Sequence, residues 1–101
     1  MARRDQPDHY SRQARKEGYR ARSVYKLQEL QRRFGILRTG MKVLDLGAAP
    51  GSWSQLAARI VGASGLVVAV DLDELPALKP LKQVRTITGD IYEERIIAEI
   101  A

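Results

Sequence analysis

One stretch, Val43-Leu44-Asp45-Leu46-Gly47-Ala48-Ala49-Pro50-Gly51-Ser52-Trp53-Ser54-Gln55, restricts the fold of this chain more than any other. It reads as an apolar strand ending on an acid, a turn through two glycines and a proline, and the entry to a helix. An α/β domain builds a nucleotide-sized pocket in this way, at the carboxyl end of its first strand. Gly47 carries no Cβ and lets backbone approach a ligand closely, whereas Gly51 can take turn conformations that other residues adopt only at a cost. Pro50 fixes its own φ and stiffens the loop before the helix.

The flanking sequence extends the pattern. Ser23 is a candidate N-cap for a helix running to about Phe34, with Val24, Leu27, Leu30 and Phe34 as its apolar stripe and Gly35 as its stop. A strand over Lys42–Leu46 and a helix over Ser52–Val61 follow. Leu66–Val70 is a continuous apolar run, as a strand buried on both faces requires, and Asp71 closes it. Pro76 and Pro80 break the next segment into a loop. Val84–Thr88 is a third strand, followed by Gly89-Asp90 and, over Ile91–Ala101, the expected beginning of a third helix with Ile96, Ile97 and Ile100 as its apolar face.

The order helix, then β-α-β-loop-β-α, is the first half of a doubly wound, Rossmann-like parallel sheet. A half-sheet leaves one edge of its first strand unpaired. The 101-residue chain is therefore read as an incomplete portion of a larger domain. Two parts are expected, a basic N-terminal arm and helix over 1–38 and the half-sheet over 39–101.

Charge separates the same two parts. Through Arg38 there are 11 Lys and Arg against 4 Asp and Glu, and from Thr39 onward 6 against 8. The first part reads as a phosphate-facing surface, with Arg12, Arg15, Lys16, Arg20 and Arg22 as its candidate RNA contacts. Tyr10, Tyr19 and Tyr25 are interleaved with these cations. Residues 1 to about 18 are polar, and are expected to form a loose arm or a short helix that orders on contact. No cysteine is present, which rules out disulfides and Cys-ligated zinc, and no apolar run has the length of a membrane span. These features lead us to expect a cytoplasmic monomer without metal or membrane association.

Asp45, Asp71 and Asp90 each follow an apolar strand, so in a parallel sheet they would line one crevice. Asp71 lies 20 residues after Gly51, near the offset at which a carboxylate holds ribose hydroxyls. Asp90 could accept from an adenine amino group. Asp45 leads the glycine loop, where it would welcome a cation and repel a pyrophosphate. The spacing Asp-x-Gly-x-x-x-Gly, in place of Gly-x-Gly-x-x-Gly, also favours a cationic ligand such as S-adenosylmethionine over a dinucleotide. Taken alone, Asp45 could equally be a turn former or N-cap, but three acids in register with one glycine turn argue against that.

With Asp45-Leu-Gly-Ala-Ala-Pro-Gly-Ser-Trp-Ser-Gln55 in place, the chain resembles the FtsJ-type ribosomal RNA 2′-O-methyltransferases over nearly its whole length. Upstream, Arg20-Ala-Arg-Ser-Val-Tyr-Lys26-Leu is similar to the family's basic helix. Downstream, Ala69-Val-Asp71-Leu and Thr88-Gly-Asp90 match its later cofactor segments. The resemblance implies S-adenosylmethionine contacts at Gly51, Trp53, Asp71 and Asp90, beside the loop residues Asp45 and Gly47. It also implies transfer of the methyl group to a uridine 2′-hydroxyl of large-subunit ribosomal RNA. Lys26 matches the first lysine of the family's Lys-Asp-Lys-Glu catalytic set, whose other members would lie past residue 101. By that reading the 101-residue chain alone does not catalyse. From the residues themselves, Lys26 could instead be a surface lysine paired with Glu17 or Glu29, and Trp53 could be a core aromatic. A non-catalytic RNA-binding module and a dinucleotide-binding oxidoreductase fragment remain as alternatives.

Overall fold

The computed structural model describes residues 9–100; the opening residues of the expected arm, 1–8, lie outside the described residues. Four α-helices and three strands follow one another: α1 His9–Lys16, α2 Val24–Phe34, β1 Lys42–Leu46, α3 Ser52–Val61, β2 Leu66–Asp71, β3 Val84–Thr88 and α4 Glu94–Ile100. The strands pair in parallel in the order β1-β2-β3. Lys42 lies opposite Leu66 at one end of the first ladder and Leu46 opposite Val70 at the other. In the second ladder Val67 faces Val84 and Asp71 faces Thr88, so the carboxyl ends of all three strands open on one side. This is the expected half of a doubly wound sheet.

Side-chain alternation explains the layers. On one face of β2, Val67 and Ala69 are fully buried. Val67 packs with Ala57, Ala58 and Val61 of α3, and Ala69 with Ala48, Leu75 and Leu78. On the other face Val70 and Ile87 pack against Ile96 of α4. The central strand is thus covered on both faces, which is why its sequence does not alternate. Leu78 belongs to a single 3-10 turn, Pro76–Leu78, inside the segment expected to be a plain loop. Leu75 and Leu78 are buried, so this crossover serves as a small piece of core despite its prolines.

Three local expectations are corrected. Ser23 does not cap α2: its backbone is already right-handed helical, at φ −56° and ψ −18°, and makes no side-chain cap bond. A capping side chain needs an extended backbone at that residue. Phe34 is 65% exposed, so the stripe of α2 buries Val24 and Leu27 but not its last turn. The last helix starts at Glu94, because the Asp90 carboxylate and carbonyl hold Tyr92 and Glu93 in a turn first.

Among the described residues, the expected arm forms a packed layer. Ala14 of α1 is buried together with Tyr19, Val24, Leu27 and Leu56 of α3. Polar residues of α3 fasten the intervening segment. Gln55 accepts from the Arg20 amide at 2.9 Å and donates to the Gly18 carbonyl at 3.3 Å, and Arg59 donates to the Tyr19 hydroxyl. At the other end of α2, Gly35 takes the left-handed conformation and closes the helix onto the Gln31 carbonyl. The Gln31 side chain then brackets both backbone groups of Leu37 at 2.8 Å, and this leads the chain into β1.

Candidate functional site

The glycine turn between β1 and α3 takes its shape from backbone constraints. Gly51 has φ +110°, and a Cβ there would also meet the Leu78 side chain at 3.2 Å. Gly47 has φ +72°, with open space where its Cβ would be. Its amide and that of Ala48 both donate to the Val70 carbonyl, which draws the loop across the end of β2. The Ala49 amide donates to the Asp71 carboxylate at 2.9 Å, and so ties the loop to the second strand end.

Two cavities open on this loop. One, of about 290 Å³, is lined by Asp45, the 46–50 loop, Ser23, Ser52 and Trp53. Its neighbour, of about 250 Å³, is lined by Asp71, Leu72, Asp90, Ile91 and Tyr92. Leu46 and Gly47 border both, so the two form adjoining halves of one crevice along the strand ends. Of the three strand-end acids, Asp45 lines the first cavity, and Asp71 and Asp90 line the second.

Their environments differ. Burial pushes the Asp45 carboxyl above its ordinary range, opposed by a 2.7 Å hydrogen bond from the Ser54 hydroxyl and helped by the Asp71 charge. Asp71 moves the other way: amide donors from Asp73 and Ala49 favour its charged form. Each Asp71 oxygen accepts one of these amides, and the Leu72 backbone adds to the same effect. In Asp90, Oδ1 accepts from the Tyr92 amide at 2.9 Å.

Trp53 is 37% exposed, lines the first cavity, and donates from its indole Nε1 to the Ser23 carbonyl at 2.8 Å. That same carbonyl accepts the Lys26 amide at 3.1 Å. Ser23 and Ser52 also share a hydroxyl–hydroxyl bond of 2.9 Å. The start of α2 is thus stitched to the start of α3 at the cavity rim. Lys26 is exposed one turn along α2 from that rim and does not line the cavity. Glu29 pairs with Arg33 at 3.9 Å, and Glu17 accepts from Gln13. Arg12, Arg15 and Lys16 on α1, with Arg20 and Arg22 after it, are all exposed and line neither cavity. Among the described residues no group of His, Cys, Asp and Glu could hold a metal, and no helix is long and apolar enough to cross a membrane.

Sequence reasoning missed Ser23, Ser52, Leu72 and Tyr92 as lining residues. Leu72 and Tyr92 carried a usable signal, since each follows a strand-end acid within two residues and the crevice lies there.

The family model of FtsJ-like methyltransferases matches residues 19–101. This chain belongs to that family. Among curated relatives it is 51% identical over 98 residues to ribosomal RNA large subunit methyltransferase E of Methanothrix thermoacetophila, covering 97% of this chain and 36% of the relative. The protein of the same name from Acinetobacter baylyi is 46% identical over 92% of this chain and 42% of its own length. A solved structure from Plasmodium falciparum, described as a ribosomal RNA methyltransferase, superposes with a TM-score of 0.64 at 31% identity, covering 76% of this chain and 41% of that one. A SAM dependent methyltransferase from Aquifex aeolicus shares the fold at a TM-score of 0.55 and 24% identity, over 84% of this chain and 48% of its own. The chain spans less than half the length of these relatives. Its FtsJ-like portion contains the glycine turn and all three strand-end acids.

Proposed function

We propose that this chain is the donor-binding and RNA-facing part of an S-adenosylmethionine-dependent methyltransferase that modifies a uridine 2′-hydroxyl in large-subunit ribosomal RNA. The observation that carries the reading is the two-part crevice, led by the half-buried Asp45 carboxylate and joined through Gly47 to the pair Asp71 and Asp90. A positively charged methionine portion suits the first half. There its charge would offset the cost of partly burying Asp45, and Trp53 would bound it, while Gly51, which lines neither cavity, would shape the turn behind the wall. In the second half the charged carboxylate of Asp71 suits ribose hydroxyls, and Asp90 suits an amino group of adenine. A dinucleotide would bring its pyrophosphate against Asp45, which opposes it. When bound, S-adenosylmethionine supplies an electrophilic methyl group on sulfur.

The chain's own contribution is to hold that donor and to present a basic surface. Arg12, Arg15, Lys16, Arg20 and Arg22 would neutralise phosphates. Lys26, tied through Ser23 to the indole of Trp53, would face the target ribose across the rim. By the family resemblance, Lys26 is the one member of the catalytic set that matches within residues 1–101, so these residues would hold donor and RNA, and removal of the hydroxyl proton would fall to the set's second lysine. The reading includes a cytoplasmic setting, a monomer, and a division of labour between residues 1–38 and 39–101.

Calorimetric titration tests it. The chain should bind S-adenosylmethionine, and Asp71→Asn and Asp90→Asn should each weaken binding about ten-fold. Nicotinamide dinucleotide should not compete. Competition by the dinucleotide, or binding indifferent to both substitutions, would overturn the reading.

A further inference from the structure

The three tyrosines interleaved with the basic residues have different fates in the fold. Tyr19 is 7% exposed, with its hydroxyl held by Arg59. Tyr25, in the first turn of α2, is half-buried. Tyr10 is 57% exposed. It is not an isolated surface ring, because its centroid lies 6.0 Å from that of Tyr25 and 5.3 Å from that of His9. The three rings form a short aromatic row bridging α1 and α2, with Tyr25 supporting Tyr10 from the protein side.

The row lies in a mainly basic part of the chain, with the carboxylate of Glu17 facing Tyr25. Ala14 is the buried residue of α1, and Tyr10 precedes it by one turn. Exposed Arg12, Arg15 and Lys16 lie on that helix beside Ser11 and Gln13, and exposed Arg22 and Lys26 stand on either side of Tyr25 in sequence. Ser23, two residues before Tyr25, lines the first cavity. A nucleic acid strand whose phosphates meet these cations near the crevice would therefore bring a base within reach of an aromatic surface already ordered by its neighbour.

We infer that Tyr10 is a stacking platform for an unpaired nucleobase next to the target nucleotide, an assignment that rests on the RNA-facing reading above. Every base has a π-face, so the contact favours single-stranded over paired RNA without selecting sequence. A phosphate contact alone does not make that distinction. The basic residues thus supply attraction, and Tyr10 supplies discrimination between loop and duplex.

The test is fluorescence anisotropy of the 101-residue chain with a labelled single strand of about ten nucleotides and a duplex of the same length. Tyr10→Ala should bind the single strand about ten-fold more weakly, with duplex affinity and the salt dependence of both unchanged. Tyr10→Phe and Tyr10→Trp should bind like the wild type, which also shows that the fold survives change at this site. The inference is overturned if Tyr10→Ala leaves single-strand affinity intact. It is also overturned if both RNAs weaken equally, or if Tyr10→Phe loses as much as Tyr10→Ala. A wild-type chain that binds neither RNA removes the RNA-facing reading itself, and the inference with it.

Discussion

On the face of the sheet that carries α4, β2 and β1 have similar apolar side chains in register, with Val68 beside Leu44 and Val70 beside Leu46. Their surroundings differ sharply. Val70 is 2% exposed beneath Ile96, whereas Leu44 and Leu46 are 47% and 50% exposed. The outer edge of β1 has no strand partner among the described residues. Beside it lies a largely apolar hollow of about 240 Å³, whose lining includes Leu27, Ile36, Leu37, Leu44 and Trp53 and, as its one charged group, Asp45. One flank of the sheet is therefore a finished core, and the other has the composition of a core without its cover. The candidate crevice lies between the two. Its Asp71 and Asp90 half rests on the covered flank, and its Asp45 and Trp53 half on the open one. Local sequence thus determines which residues point to a face, while only packing determines whether that face is dry.

The widest separation between the flanks is expected from truncating one side chain on each. Ile96→Ala should lower the unfolding free energy by roughly 2–5 kcal/mol, because it opens a cavity under a fully buried position. Leu46→Ala, already half in water, should cost less than about 1 kcal/mol. Urea denaturation of both variants measures the contrast, and equal losses would break it.

At the turn between the flanks, Gly51→Ala combines a left-handed backbone with a Cβ pressed on Leu78. A loss of about 1–3 kcal/mol is expected, by thermal unfolding, together with weaker donor binding. Gly47→Ala faces open space and carries only the conformational cost, so it should destabilise less.

The smallest effect concerns the two acids. The folded-state pKa of Asp45 is raised, so its protonated form is favoured and its contribution to stability declines as pH rises through the raised value. The folded-state pKa of Asp71 is lowered, so its contribution is present above the unfolded carboxylate range and is lost as pH falls through the folded value. Asp45→Asn should therefore stabilise the ligand-free chain slightly at neutral pH, while weakening a cationic ligand. In the wild type, affinity for that ligand should rise with pH as Asp45 ionises, and Asp45→Asn should flatten the profile. A profile that Asp45→Asn leaves unchanged would detach this acid from the ligand.

Much of this architecture was legible because glycine and periodicity mark it. The bounds of β1, α3 and β3 follow from apolar runs punctuated by Gly40, Gly47, Gly51, Gly62 and Gly89. The placement of Asp45, Asp71 and Asp90 at one end of the sheet follows from parallel order alone. Other features depended on contacts far apart in sequence. Ser23 has the composition of a cap, yet its hydroxyl goes to Ser52, 29 residues away. Tyr10 and Tyr19 look alike on paper and separate only because Arg59 and the α1–α2 packing claim one of them. Leu78 was hidden between prolines, with no period to announce its burial.

The central claim is that one crevice at the strand ends holds a cationic adenosyl donor. Amide and indole chemical-shift mapping of the labelled chain during titration with S-adenosylmethionine tests it most directly. The account predicts shifts confined to Gly47, Ala49, Gly51, the Trp53 indole, Leu72 and Tyr92. Saturable binding that moves none of these signals, or that moves only residues on the far ends of the strands, would contradict it.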